Sequence, residues 1–304
     1  MAAEVLTNSA DSRHGLHASH SLSNPNEISN TVRRVLSTVK WGKVFRDRAS
    51  IAAYYGLTLG FKLFRPDRPI DAGMHPKFWL RDIEISTPIG RFACRGRTSD
   101  MDIVNPNHEA VLVDAIRDRL TRIQNQKAVI VDIGAHIGKY TILSGRLLQD
   151  KGTVIAIEPD PANFALLKEN ISLNNLTNVN AFNLGCWSSD GRKVLHRQLW
   201  DFGGGSFVDR TRGESVFVSV RRLDGLLREN GVDHVDVMKL DVQRAEAEVL
   251  RGASTTLSSN RNVVVFFEET SETDSAESVR LLRESGFDLE RLDDFNYLAE
   301  RPLT

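Results

Sequence analysis

Three features of this 304-residue chain predict an α/β fold built on a doubly wound parallel sheet. The first is AVIVDIGAHIGKYTIL at 128–143, a buried strand, a glycine bend and a helix start in immediate succession. The second is TVIAI at 153–157, another short apolar run, which ends on Glu158, 20 residues beyond Gly138. The third is the alternation that follows, in which the strand-like runs VNAFNL, VDVMKLDV and NVVVFFEE are separated by stretches of helical length.

In the first feature, Ala128 to Val131 read as a strand buried on both faces and Asp132 caps it, with Gly134 and Gly138 bracketing the turn. Glycines there let backbone approach a ligand closely, and the N–H groups opening the next helix present partial positive charge beside it. Such a ligand sits at the carboxyl end of the first strand. The spacing Gly134-Ala135-His136-Ile137-Gly138 lacks the third glycine that seats a pyrophosphate, so the ligand is read as one without it. A carboxylate at the end of the second strand, Glu158, is placed to accept both hydroxyls of a ribose.

Composition sets outer bounds. Hydrophobic residues at 41% and charged residues at 26% are those of a soluble globular protein. A net charge of −1 gives no bulk attraction to nucleic acid or to an anionic membrane. Cys94 and Cys186 read as reduced thiols of a cytoplasmic protein. No secretory signal is visible in 1–30, and the apolar stretch 49–64 is too short to span a bilayer and reads as a packed helix.

Residues 1–29 are polar enough to be a disordered tail, and His14, His17 and His20 within it read as solvated. Residues 30–125 are expected to form a cap of helices and a β-hairpin, the source of substrate specificity. Within it, 31–48 has the periodicity of an amphipathic helix whose basic face is either solvated or a surface contact. Residues 79–95 alternate around Pro88-Ile89-Gly90 as a hairpin does, and Asp100 to Asp118 start a helix. Residues 126–304 then form the ligand-binding domain. Its further elements are a helix at 161–174 opened by Pro161, a strand at 179–184, a long hairpin within 193–220, strands at 235–242 and 262–269, a helix at 275–286 and two strands within 287–300.

VDIGAHIGKYT and VIAIEPDP together resemble the first two motifs of class I S-adenosylmethionine-dependent methyltransferases. Through EPDPANFALLKENISLNN at 158–175, VRRLDGLL at 220–227 and VDVMKLDVQRAEAEVLRGA at 235–253, the chain is similar to the FkbM family within them. The resemblance implies a Rossmann-like sheet of seven strands, six parallel and one antiparallel in the C-terminal hairpin. It implies S-adenosyl-L-methionine as cofactor, held by Asp132, Gly134, His136, Gly138, Tyr140, Thr141, Glu158, Pro159, Gly185, Cys186 and Asp241. It also implies methyl transfer to a hydroxyl of a small molecule or glycan, with Asp241, Lys239 and His136 as candidates for catalysis and Glu246 and Glu268 for substrate. A bland reading stands beside each: Asp241 as a helix cap, Lys239 as solvated, His136 as a plain loop residue, Glu246 as a helical surface acid, and Trp187 as a packed ring or a wall for adenine. No metal site is expected, because no acids or histidines stand at ligand spacing.

The family pattern K-x-D-V-E-G-x-E is met by Lys239, Asp241, Val242 and Glu246, but Gln243 replaces its acid and Arg244 its glycine. Either the loop has adapted or activity is impaired. Two other functions therefore stay open: methylation of RNA ribose or protein, and a non-catalytic S-adenosylmethionine-binding module. Lys-Leu-Asp-Val stands where base-amine methyltransferases carry N/D-P-P-Y/F, so no stable nucleic-acid partner is expected.

Overall fold

The computed structural model describes residues 36–64, 81–123, 127–197, 205–208, 213–268 and 272–302. The expected tail 1–29, with its three histidines, and Gly203 and Gly204 of the hairpin tip lie outside them. The chain divides into two compact units, Met1–Thr87 with Ala93–Asn105, and Pro88–Phe92 with Pro106–Thr304.

In the first unit α1, Phe45–Phe64, contains the apolar stretch 49–64 and buries Ile51, Tyr54 and Tyr55. The amphipathic helix expected over 31–48 does not form as one element, and its first residues lie outside those described. After a single helical turn at 36–39 the chain turns, and Gly42 bridges Ile85 of β1, Ile83–Ser86. The Ser86 amide donates to the Trp41 carbonyl at 2.7 Å, and the Lys43 amide donates to that of Glu84 at 3.1 Å. Pairing with a strand thus overrides helical periodicity. The hairpin expected around Pro88-Ile89-Gly90 is present as β1 and β2, Arg91–Cys94. One short turn, α2, Asp100–Ile103, completes this unit, with Asp100 clasped through both oxygens by Arg95.

The second unit carries the main sheet. Its strands are β3, Ala128–Ile133, β4, Gly152–Ile157, and β5, Val179–Phe182. Then come β9, Val237–Leu240, β10, Val264–Glu268, β11, Asp288–Arg291, and β12, Asn296–Glu300. The order across the sheet is β11-β12-β10-β9-β3-β4-β5. All pairings among β10, β9, β3, β4 and β5 are parallel, and β12 runs antiparallel to both β10 and β11. Six strands therefore share one direction and one opposes them, as expected. The chain order reverses between β3 and β9, which leaves a crevice at their carboxyl ends.

Helices α3, Ala110–Arg122, α4, Lys139–Leu148, and α5, Pro161–Leu173, precede or follow the first strands. Later come α6, Leu223–Glu229, α7, Glu246–Gly252, α8, Ser254–Ser259, and α9, Glu272–Glu284. Val129, Val131 and Ile133 of β3 and Met238 and Leu240 of β9 share a core with α6, α7, α8 and Leu282 of α9. Because side chains alternate along a strand, Asp132 and Lys239 face the other side, and these two are register partners. Asp132 lies inside β3 and does not cap it, since pairing with β4 and β9 continues through Ile133.

The third strand is shorter than the expected 179–184. It leaves the main sheet after Phe182, and Gly185–Cys186, β6, joins a separate three-stranded sheet with β8, Glu214–Arg221, and β7, Gly191–Arg197. Among the described residues no helix is long and apolar enough to cross a membrane.

Within the second unit the Asn174 side chain holds Arg91, at the end of the hairpin turn. Asn174 Oδ1 accepts from the Arg91 amide at 2.9 Å, while its Nδ2 donates to the carbonyls of Arg91 at 2.7 Å and Asn170 at 2.8 Å. Asn174→Ala removes these side-chain bonds and is expected to lower the unfolding free energy by about 1–3 kcal/mol, read from urea denaturation.

Candidate active site

At the end of β3 the chain turns on Gly134, whose φ is +79°. A Cβ there would lie 1.8 Å from the Asp241 carbonyl oxygen at the end of β9, so only glycine permits this approach of the two backbones. The amides of Gly134 and Ala135 both donate to the Ile157 carbonyl, at 2.9 and 3.0 Å. His136 follows in left-handed conformation at φ 51°, and its amide donates to Glu158 Oε2 at 2.8 Å. Gly138, at φ +100°, closes the bend against Leu167, whose Cδ1 would be 2.7 Å from an added Cβ.

Asp132 is buried, and its Oδ2 accepts from the Thr141 hydroxyl of α4 at 2.5 Å. Its Oδ1 is buried with no hydrogen-bond partner. Burial pushes its carboxyl up, against the pull of Lys239 and Thr141. A buried acceptor of this kind is suited to a ligand that carries a hydrogen-bond donor.

Glu158 closes β4. Besides the His136 amide it accepts the Asp160 amide at 2.9 Å and the Asn163 side chain at 3.4 Å, both on Oε1. Burial still raises its carboxyl to about 7, because those bonds only partly offset desolvation. Pro159 follows, and Asn183 Nδ2 spans the carbonyls of Glu158 and Pro159 at 2.9 and 3.1 Å. Asp160 caps α5 through the amides of Ala162 and Asn163 and is itself held by Arg197.

The ends of β9 and β10 bring an ionic cluster to Tyr140. Lys239, buried, donates to Asp241 Oδ2 at 3.0 Å, and its ammonium lies 5.0 Å from the Tyr140 ring centroid. Burial alone would lower the Lys239 pKa, but Asp241, Asp132 and Glu109 together hold it above its usual value. Gln243 Nε2 donates to Asp241 Oδ1 at 3.1 Å and to Glu268 Oε2 at 3.3 Å. Gln243 thus bridges the two carboxyls. Burial and the neighbouring Asp241 charge push Glu268 well up; for Asp241 burial is the largest single influence and would raise it, but the Lys239 charge and the hydrogen bonds together hold it below its ordinary value.

The other expected residues are placed differently. Glu246 is buried and turned toward the loop before it, accepting the amides of Val242 at 3.1 Å and Arg244 at 3.4 Å. Gly185 packs under Phe207, which meets Trp187 edge-on at 5.6 Å, and Lys193 lies 4.0 Å above the Trp187 ring. Cys186 is buried on β6, and burial pushes its thiol up to about 12, which rules it out as a nucleophile at neutral pH. Among the described residues no group of three or more His, Cys, Asp and Glu is arranged to hold a metal ion.

Two residues escaped sequence reasoning. Glu109 and Lys139 belong to the same cluster: Glu109 Oε2 accepts from the Tyr140 hydroxyl at 2.8 Å and from Lys139 at 3.3 Å. Lys139 directly follows the glycine bend, which was its only signal. Glu109 looked like the start of a surface helix.

Arg244, in place of the family glycine, is exposed and keeps the left-handed backbone at φ 79°, and Gln243 before it is also left-handed at φ 55°. Position 244 thus has a backbone conformation that glycine adopts readily, and its side chain is exposed.

The methyltransferase FkbM domain matches residues 132–289, more than half of the chain. The chain is 28% identical over 204 residues to the 2-O-methyltransferase NoeI of Sinorhizobium fredii, covering 61% of this chain and 79% of that protein. It is 29% identical over 190 residues to the 31-O-demethyl-FK506 methyltransferase FkbM of Streptomyces tacrolimicus, covering 52% of this chain and 72% of that one. It is also 27% identical over 277 residues to the AMB antimetabolite synthetase AmbE of Pseudomonas aeruginosa, covering 74% of this chain but only 12% of that much longer protein.

Two measurements check this geometry. Arg244→Gly relieves a left-handed arginine at the entropic cost of a glycine, and is expected to raise stability by roughly 0.5 kcal/mol in urea denaturation. For Glu158 the folded chain keeps its proton up to about pH 7, whereas the unfolded chain loses it near 4.5. The folded state binds more protons between those values, so this carboxyl contributes stability that falls as pH rises from about 4.5 to about 7. Glu158→Gln is expected to flatten that slope in denaturation curves taken across the window.

Proposed function

The chain belongs to the FkbM methyltransferase family, and from that premise we propose that it is an S-adenosylmethionine-dependent O-methyltransferase acting on a hydroxyl of a small molecule or glycan. The observation that carries the reading is the Asp241–Glu268 pair, two carboxyls at adjoining strand ends bridged by the Gln243 amide and backed by a buried lysine.

The residues fit the cofactor. Buried Asp132 Oδ1 lacks a partner, the Gly134 bend admits close approach, and Glu158 sits at the next strand end, where a carboxylate accepts ribose hydroxyls. S-adenosylmethionine, when bound, supplies a methyl group on a sulfonium, whose positive charge is dispersed as the methyl leaves.

The chain's own residues then have two tasks, to align the acceptor and to take its proton. Asp241, partly exposed and ionised, accepts the hydroxyl proton at Oδ1 or Oδ2 as the oxygen attacks. Lys239 balances the Asp241 charge before transfer, and Gln243 fixes the carboxylate plane through Oδ1. Glu268, its carboxyl pushed up by burial and by Asp241, stands beside this base through the shared Gln243 amide. A chain of net charge −1 has no matching bulk field for a polyanion, which favours a small molecule or glycan over nucleic acid.

Calorimetry with S-adenosylmethionine is expected to show binding by the wild type that Glu158→Ala weakens strongly. Asp241→Asn is expected to retain that binding but to lower transfer of labelled methyl to a pool of glycans and hydroxylated small molecules by about 100-fold or more. Labelling of RNA instead of that pool would remove the acceptor class, and absence of binding by the wild type would remove the function.

A further inference from the structure

Glu109 lies upstream of residues 132–289 and has no part in the chemistry above. It stands just before α3 with φ 52°, a left-handed backbone that a glutamate enters only when its surroundings impose it. What imposes it is a pair of donors on one oxygen, with an imidazole nearby. The Tyr140 hydroxyl donates to Oε2 at 2.8 Å, the Lys139 ammonium reaches the same atom at 3.3 Å, and His108 Nδ1 lies 3.4 Å from it. Oε1 receives none of these bonds, and the Glu109 side chain is 23% exposed.

The position of this half-satisfied carboxylate is informative. Lys139 and Tyr140 form the first turn of α4, directly after the glycine bend, and the Tyr140 ring lies 5.0 Å from the ammonium groups of both Lys139 and Lys239. Glu109 is thereby fixed beside the bend at the end of β3, where the amino-acid end of the proposed cofactor would lie. The charge of Lys139 is partly spent on the His108 carbonyl, to which it donates at 2.6 Å. Burial would raise the Glu109 carboxyl, but His108, Lys139 and Lys239 hold it well below its ordinary value, so it is ionised at neutral pH. A carboxylate with one oxygen saturated and the other open is a receptor for a cation that carries N–H donors.

We infer that Glu109 Oε1 binds the α-ammonium of the methionine end of S-adenosylmethionine, which makes this upstream residue a cofactor ligand outside the family motifs. The assignment rests on the cofactor proposed above and would account for a left-handed acid at a helix start.

Two probes separate the assignment from the reading beneath it. S-adenosylhomocysteine carries the ammonium, and 5′-methylthioadenosine keeps the nucleoside but lacks the amino acid. In calorimetry on the full chain, Glu109→Gln is expected to weaken S-adenosylhomocysteine binding about tenfold or more while 5′-methylthioadenosine binding stays within about twofold. Glu109→Asp, which keeps the charge but withdraws the oxygen, is expected to show the same selective loss. Equal loss of both probes would reduce Glu109 to a packing residue, and an unchanged S-adenosylhomocysteine affinity would overturn the assignment while leaving the cofactor site standing. A wild type that binds neither probe would overturn the cofactor reading and the assignment with it.

Discussion

The site depends on the contact between the backbone of Gly134 and the carbonyl of Asp241. Two neighbouring strands end there, and the loops that leave them pass so closely that an added methyl group would overlap the carbonyl oxygen. The Asp241 amide also donates to the Ile133 carbonyl at 3.1 Å, which carries the parallel ladder one step past the last paired residues. With the two strand ends locked together, side-chain alternation alone puts Asp132 and Lys239 on one face and the apolar residues between them on the other. Buried charge is tolerable under this constraint because partners arrive at fixed distances, and a buried ion without them would be strongly destabilising.

Backbone strain is concentrated in the same place. Among the described residues, eight that are not glycine have positive φ, and four of them, Glu109, His136, Gln243 and Arg244, belong to the site or its immediate loop. Each position follows from a specific contact. His136 must turn its amide to Glu158, Gln243 must reach two carboxylates at once, and the Val242 and Arg244 amides both converge on Glu246. Strain of this kind persists only where surrounding bonds over-determine it, and it accompanies pre-organised ligand sites.

Much of this was legible in the sequence because it rests on short-range rules. Apolar runs of strand length, Pro161 opening a helix and glycines at a strand end specify local geometry directly, and the sheet order follows from the parallel crossovers. Residues whose position depends on pairing with distant strands were not legible. The helical periodicity of 31–48 gave no sign that Gly42 would bridge Ile85, and the apolar run 179–184 did not reveal that its end joins another sheet. Glu109 was hidden for the same reason, since its partner Tyr140 lies 31 positions away. The exchange of glycine for Arg244 was visible as a departure, but not that the arginine is exposed on a left-handed backbone.

One atom joins the two halves of the crevice. The His136 amide sits between the glycines of the bend and donates to Glu158, so the loop that follows β3 and the acid that ends β4 hold each other in position. Two amides from the same bend bond the Ile157 carbonyl, which fixes the bend at three points along the end of β4. A ligand that engages Glu158 at one end and the bend at the other therefore meets groups already arranged. It does not have to order the loop itself, and the entropy of ordering it is not charged against binding. The left-handed His136 is the local strain that this arrangement requires, and its bond to Glu158 is what holds the strain in place.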